Sequence, residues 1–293
     1  MTAQQIENSY RRFLEDELHE PRPSQVEYIG INFHEQTGET PVFKCYYSTT
    51  ESLRDGDEIL RPFLERDMIH ALNWIQDTRY VGKLRYEIGL GNRTNENMLW
   101  LYRWIEHSFA LSQRQRVELD QMKQLTCCSL NTHRYAALYY LGFITSAQTR
   151  FPLEAVKPHY ILRTCENPEK IGKQFSVDTE KVLRFLKAVD IPALADLAEL
   201  LNPIAGDENE LWMVAMDFFS SPGMATKYKI YLKDKGGVLL QALEGAALSH
   251  GLHAVAQQLA AFDAWLGGHP QLGLYGVAVC LTGDGEWSVN CYM

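Results

Sequence analysis

No run of 18 or more apolar residues occurs in the 293-residue chain, so no segment reads as a membrane-spanning helix. The opening residues, Met1-Thr2-Ala3-Gln4-Gln5-Ile6-Glu7, lack a basic stretch followed by an apolar one, so no secretion signal is expected and the expected location is cytoplasmic. Basic charge is scarce as well. Lys and Arg total 28 against 37 Asp and Glu, a formal net charge of −9, which excludes a general nucleic-acid binder. Cysteine is sparse and unpatterned: Cys45, Cys127, Cys128, Cys165, Cys280 and Cys291 show no spacing that suggests a disulfide framework. Cys127-Cys128 with His133 lacks a second ligand pair, so no metal site is expected, and the cysteines read as reduced, buried thiols. Phosphate-cradling loops are also missing. Gly89-Leu90-Gly91 lacks the rest of a dinucleotide fingerprint, and no GxxxxGK[ST] occurs.

What is present is a regular alternation of strand pairs and helices. Apolar periodicity gives strand pairs at 26–33/42–47, 84–90/98–104, 138–144/156–163, 211–219/226–233 and 274–281/287–292. Helices are predicted over 58–76, 106–124, 179–189, 193–201 and 238–266. Asp178 suits an N-cap, Pro192 opens a helix, and Gly251 breaks the last one. The five hairpins recur at intervals of roughly 50 to 65 residues, a repeat of architecture rather than of residues. Because the strands come as tight pairs, a parallel βαβ arrangement fits poorly. The expectation is an α+β fold: one domain over 1–293, a ten-stranded antiparallel β-barrel surrounded by α-helices. Closure removes the sheet edges, and ten strands leave a wide lumen.

Three strands, each second in its hairpin, carry cations and aromatics on one face. Alternation groups Lys44 with Tyr46, Lys157 with His159 and Arg163, and Lys227 with Lys229 and Tyr231. The opposite faces are apolar: Phe43 and Cys45; Val156, Tyr160 and Leu162; Tyr228, Ile230 and Leu232. Unpaired cations are costly to bury, so several converging inside one sheet call for an anionic ligand or water, and a phosphorylated or pyrophosphorylated ligand is the natural candidate. The bland alternative is three amphipathic strands with solvated lysines.

The segment Lys157-Pro158-His159-Tyr160-Ile161-Leu162-Arg163, followed by Asn167-Pro168-Glu169-Lys170-Ile171 and Gln174-Phe175, resembles the Lys-x-His strand and Pro-Glu-Lys turn of cyanobactin prenyltransferases. These belong to the ABBA (PT-barrel) superfamily, whose five αββα units surround a ten-stranded barrel, and they modify ribosomally made cyclic peptides (RiPPs). The resemblance implies transfer of a dimethylallyl or geranyl group from an isoprenoid diphosphate to a Tyr, Trp, His or Arg side chain. It also implies magnesium as a counter-ion to the diphosphate. By position, Lys157, His159 and Lys44 would contact the diphosphate, and Glu27 would help position the acceptor or a magnesium ion. Ile161 departs from the family pattern, which has a further basic residue there; Arg163 could compensate. Glu27 shares parity with Ile29, Ile31 and Phe33, so only a bulge or the strand's start would turn it inward.

Within that chemistry, Lys44, Lys157, His159, Arg163, Lys227 and Lys229 are candidates to stabilise the departing diphosphate. Tyr46, Tyr102, Tyr231 and Tyr292, with Trp100, are candidates to shield an allylic cation from water. Glu87, which shares a face with Arg85, and Glu27 are the candidate proton acceptors. Asp217 has the parity of Met213 and Ala215 and ranks below them. No DDxxD motif occurs, which argues against the all-helical isoprenoid synthases. The alternatives are prenylation of a non-peptide aromatic acceptor, or a non-catalytic barrel binding an isoprenoid or phosphorylated ligand. A single closed barrel suits a monomer.

Overall fold

The computed structural model describes residues 1–18, 25–35, 41–49, 86–91, 98–104, 136–146, 155–162, 178–219 and 225–293. Ten strands lie in them: β1 (Gln25–His34), β2 (Val42–Thr49), β3 (Tyr86–Gly91), β4 (Met98–Trp104), β5 (Ala136–Ser146), β6 (Ala155–Leu162), β7 (Asn209–Phe219), β8 (Lys227–Asp234), β9 (Gly276–Thr282) and β10 (Trp287–Tyr292). They form one sheet in the order β3-β2-β1-β10-β9-β8-β7-β6-β5-β4, and the registered neighbours are antiparallel. The two strands at the ends of that order, β3 and β4, are consecutive in the chain and touch each other. The predicted hairpins are therefore present, with ends shifted by one or two residues. The helices predicted over 58–76 and 106–124 lie outside the described residues.

The described helices are α1 (Ala3–Leu18), α2 (Thr179–Ala188), α3 (Pro192–Leu201), α4 (Leu239–Ser249) and α5 (His253–Gly267). They cover one face of the sheet, where alternate strand residues are apolar and fully removed from water. Ile31, Phe33, Phe43, Tyr160, Leu162, Val214, Ile230, Leu232, Val277 and Val279 join Leu186, Leu197, Leu243 and Phe262 in one core. The apolar face read from β2, β6 and β8 is thus the helix-facing one. Burial of such a side chain stabilises by about 1.5–3 kcal/mol, which fixes which face each strand turns to the helices.

Asp178 caps α2, its side chain accepting from the Lys181 N–H at 3.1 Å. Pro192 opens α3 as expected. The helix predicted over 238–266 with a break at Gly251 is two helices, α4 and α5. Gly251, at φ +75°, turns the chain between them, a conformation that costs other residues. The sequence reading did not anticipate α1, although Ile6, Tyr10 and Phe13 give it an apolar stripe. Its Glu7 carboxylate accepts from the Trp265 indole N–H (2.9 Å) and meets His269 Nε2 (3.2 Å), tying the N-terminal helix to α5.

A Cβ at Gly251 would have open space around it, so only backbone strain opposes it. Gly251→Ala is expected to lower the unfolding free energy by about 1–2 kcal/mol with the fold intact, as read by denaturant titration.

Candidate functional site

The sheet face turned away from the described helices is also buried, and there the chemistry changes. Register lays its side chains out in rows. Asp217 pairs with Lys227 and then Thr282. His159 pairs with Ala215, then Lys229, Cys280 and Ser288. Ile161 pairs with Met213, then Tyr231, Ala278, Asn290 and Asn32. Met213, Ala215, Tyr231, Ala278 and Cys280 form a second buried cluster, with Trp212 and Tyr292 packed against it.

At the centre sit three charged groups almost wholly out of water. The Asp217 Oδ2 atom lies 2.6 Å from Lys229 Nζ and 3.2 Å from Lys157 Nζ, and the three side chains are 4%, 8% and 7% exposed. Two ammonium groups therefore share one carboxylate oxygen. Burial pushes the Lys157 amine down to about 7, helped by the neighbouring Lys229 charge, with Asp217 opposing. Lys229, the closer partner of Asp217, also suffers desolvation, but the carboxylate outweighs it and raises its pKa. Asp217 is held below the ordinary carboxylate range, because the Lys157 and Lys229 charges overcome the desolvation that would raise it.

His159 is neutral: burial pushes its imidazole down to about 3. Its Nδ1 lies 3.0 Å from the Lys157 carbonyl oxygen, which can only accept, so Nδ1 carries the proton and Nε2 is left as an acceptor. The Tyr231 hydroxyl lies 3.4 Å from that Nε2. Pro158 has no N–H for the ladder, and the β6–β7 pairing passes from Val156 to His159. Beyond His159 the face becomes aromatic. Tyr231 and Tyr292 stack at 6.2 Å between centroids and 20° between planes, Trp212 meets Tyr231 edge-on at 6.2 Å, and Lys233 Nζ lies 4.5 Å from the Trp212 ring centroid. Two carboxamides, Asn32 and Asn290, oppose each other across β1 and β10, and each has a buried Oδ1 with no hydrogen-bond partner.

Of the residues singled out from sequence, Lys157, His159, Lys229, Tyr231 and Tyr292 come together on this face, with the half-buried Lys227 one row further on. Others are located by backbone alone. Lys44 pairs with Gly30, Tyr46 with Tyr28, and Glu87 with Ser48. Tyr102 pairs with Gly142, whose other neighbour is Lys157. Glu27 falls at a β-bulge between Val26 and Tyr28, the kind of irregularity its parity required. Arg163 and Arg85 lie outside the described residues.

Sequence reasoning missed two features of this face. Met213 and Ala215 lie on the cationic face, so the parity that Asp217 shares with them turns its carboxylate onto both lysines. Pairing β7 with β8 across their turn, which opposes Asp217 to Lys227, was the available signal. Strict alternation puts Trp212 on the face opposite Met213. A bulge between Leu211 and Met213 instead brings both into the second cluster.

No protein-family model matches the sequence, and no curated protein matches it. Solved structures do match in shape. A 6-dimethylallyltryptophan synthase from Micromonospora olivasterospora, in complex with DMASPP and Trp, superposes with a TM-score of 0.57 at 13% identity, over 94% of this chain and 86% of that one. PriB in its binary complex with product diphosphate gives 0.56 at 11%, over 94% and 84%. AnaPT from Neosartorya fischeri gives 0.55 at 13%, over 91% and 77%. At such identities the likeness is one of fold: the chain has the architecture of these prenyltransferase structures along nearly its whole length.

Asp217→Asn should cost about 3–5 kcal/mol in chemical denaturation, since it removes the charge of the carboxylate that both buried amines contact. A pH dependence follows from Lys157. Its amine protonates less readily folded (about 7) than unfolded, so the cost of its charge is present in full below pH 7 and relieved as pH rises from 7 towards 10. The unfolding midpoint should therefore rise between pH 7 and 9, and Lys157→Met should flatten that rise. Lys229, raised, loses its contribution only at higher pH.

Proposed function

We propose that the chain is a prenyltransferase that transfers an allylic group from an isoprenoid diphosphate to an acceptor held within a closed ten-stranded barrel. The observation that carries this reading is the paired ammonium groups of Lys157 and Lys229, buried beside stacked tyrosines. Its support is the fold, shared with PriB bound to product diphosphate and with a 6-dimethylallyltryptophan synthase bound to DMASPP and Trp. Contact between β3 and β4, the end strands of the sheet order, supports closure.

In this reading the diphosphate lies against Lys157, Lys229 and Lys227, with Lys44 and Arg163 as further donors. As the allylic C–O bond breaks, negative charge grows on the leaving oxygen, and fixed cations in a dry site stabilise that growth most. The carbocation left behind faces Tyr231, Tyr292 and Trp212, whose π-faces attract it and whose bulk excludes water. Tyr46 and Tyr102 are the further candidates for this shielding role. His159, neutral and accepting from Tyr231, steadies that ring. Glu27 and Glu87 are the groups to orient the acceptor and take its proton.

Magnesium would enter as a counter-ion of the diphosphate. Among the described residues no group of three His, Cys, Asp or Glu could hold a metal, and Asp217 is engaged by two ammonium groups, so no step here runs through the ion. For the acceptor, the strand from Lys157 to Arg163 supports a side chain of a ribosomally made cyclic peptide (Tyr, Trp, His or Arg). PriB in a ternary complex with L-tryptophan favours a second reading, a free aromatic amino acid. A monomeric, cytoplasmic enzyme fits either.

Mass spectrometry should decide. Cyclic peptides each bearing one candidate side chain, and free L-tryptophan, are incubated with dimethylallyl or geranyl diphosphate and magnesium. A gain of one C5 or C10 unit on one acceptor type is expected, and Lys229→Ala, still folded, should lower its rate by about two to three orders of magnitude. Unchanged turnover in both Lys157→Ala and Lys229→Ala would refute the diphosphate assignment.

A further inference from the structure

Asparagine suits a strand poorly, yet Asn32 of β1 and Asn290 of β10 face each other within a ladder. The Ile29 and Met293 backbones exchange two hydrogen bonds, at 3.0 and 2.8 Å, so Asn32 and Asn290 form a non-hydrogen-bonded pair, where side chains come closest. Two carboxamides so placed could bond each other, but each turns its amide elsewhere. Asn32 Nδ2 lies 2.9 Å from His34 Nε2, and Asn290 Nδ2 lies 3.7 Å from Cys280 Sγ. The Cys280 thiol donates its one hydrogen to the Ala278 carbonyl at 3.5 Å, so its sulfur is an acceptor and fixes which end of Asn290 faces it. Both carbonyl oxygens are left buried without a hydrogen-bond partner. A buried acceptor in that state is costly, which points to a ligand that brings donors.

Register fixes where the pair stands. Its row runs through Ala278 to Tyr231; the row on one side holds Tyr292, and the row on the other holds Ser288, Cys280 and Lys229. A group seated there lies between the lysine assigned to the diphosphate and the tyrosines assigned to the allylic chain. A carboxamide oxygen can only accept, which excludes both parts of the prenyl donor: the diphosphate presents acceptor oxygens, and the allylic chain has no polar hydrogen. The partner is then the prenyl acceptor, and it must bring polar hydrogens to two neighbouring oxygens. Tyrosine offers one O–H, tryptophan one N–H and neutral histidine one N–H, whereas arginine offers five N–H groups in a planar fork. Resting on the prenyl-transfer reading above, we propose that Asn32 and Asn290 are positioning residues that seat the guanidinium of an arginine side chain as the acceptor. Transfer forms one N–C bond at the allylic carbon as its C–O bond breaks. The electron pair of that bond leaves with the diphosphate, and one guanidinium N–H proton goes to a carboxylate, Glu27 or Glu87, or to solvent. The carboxamides are neutral and take no proton; they fix the direction of the nitrogen that reacts.

The experiment is turnover of dimethylallyl diphosphate by the full chain with four cyclic peptides that differ at one residue, bearing Arg, Trp, Tyr or His. Addition of one C5 unit to arginine is expected. Asn32→Leu and Asn290→Leu should each raise the KM for that peptide roughly ten- to a hundredfold, with the affinity for dimethylallyl thiolodiphosphate unchanged. A merely structural role would move both constants together. Addition to tryptophan, tyrosine or histidine but not to arginine would overturn the proposal and leave prenyl transfer standing. A wild-type KM in either variant would overturn it too. If a variant does not fold, or no peptide turns over, side-chain 15N NMR of the wild type decides. The Asn32 and Asn290 carboxamide signals should shift on titration with the arginine peptide, and unshifted signals would overturn the proposal. Failure of the wild type to bind the thiolodiphosphate would refute the diphosphate reading, whereas the carboxamide signals test the arginine seat without it.

Discussion

The pairing of two ammonium groups with one carboxylate inside the sheet is the interaction on which the rest of this site depends. Taking a charge out of water costs several kcal/mol even after relaxation, and the shared carboxylate offsets part of that cost for both lysines. The sharing is uneven: Lys229 is held charged, and Lys157 is brought close to losing its proton. Two buried amines side by side are well suited to an anion carrying more than one charge.

The fold makes this pairing possible. Strand alternation sends apolar side chains to the helices and frees the other face for polar and aromatic groups. A small residue, Ala215, stands between His159 of β6 and Lys229 of β8 in the register, so long side chains from those strands can meet across β7. Local irregularities refine it. Pro158 interrupts a ladder, and His159 turns its Nδ1–H back onto the Lys157 carbonyl. A bulge in β7 brings Trp212 beside Tyr231, and another in β1 falls at Glu27.

Much of this was legible in the sequence, because period-two patterning in strands is enforced by burial. The strands, the helix-facing set in β6 and β8, and the grouping of Lys157, His159, Lys229 and Tyr231 all follow from it. The missing parts are those that alternation does not encode. Asp217 was judged by its own strand, where its neighbours Met213 and Ala215 are apolar, when its role is set by β6 and β8 on either side. Trp212 changes face through a bulge that no periodicity announces. Helix α1 was overlooked because its apolar stripe is narrow and its other face strongly polar, although Glu7, Tyr10 and Phe13 tie it to α5 and β2.

The most direct test of the central claim is a crystal structure with dimethylallyl thiolodiphosphate. The account predicts phosphate oxygens within hydrogen-bond distance of Lys157 and Lys229 Nζ, with the allylic chain against Tyr231 and Tyr292. A donor bound on another surface, or lysines still paired to Asp217 with the diphosphate elsewhere, would contradict it.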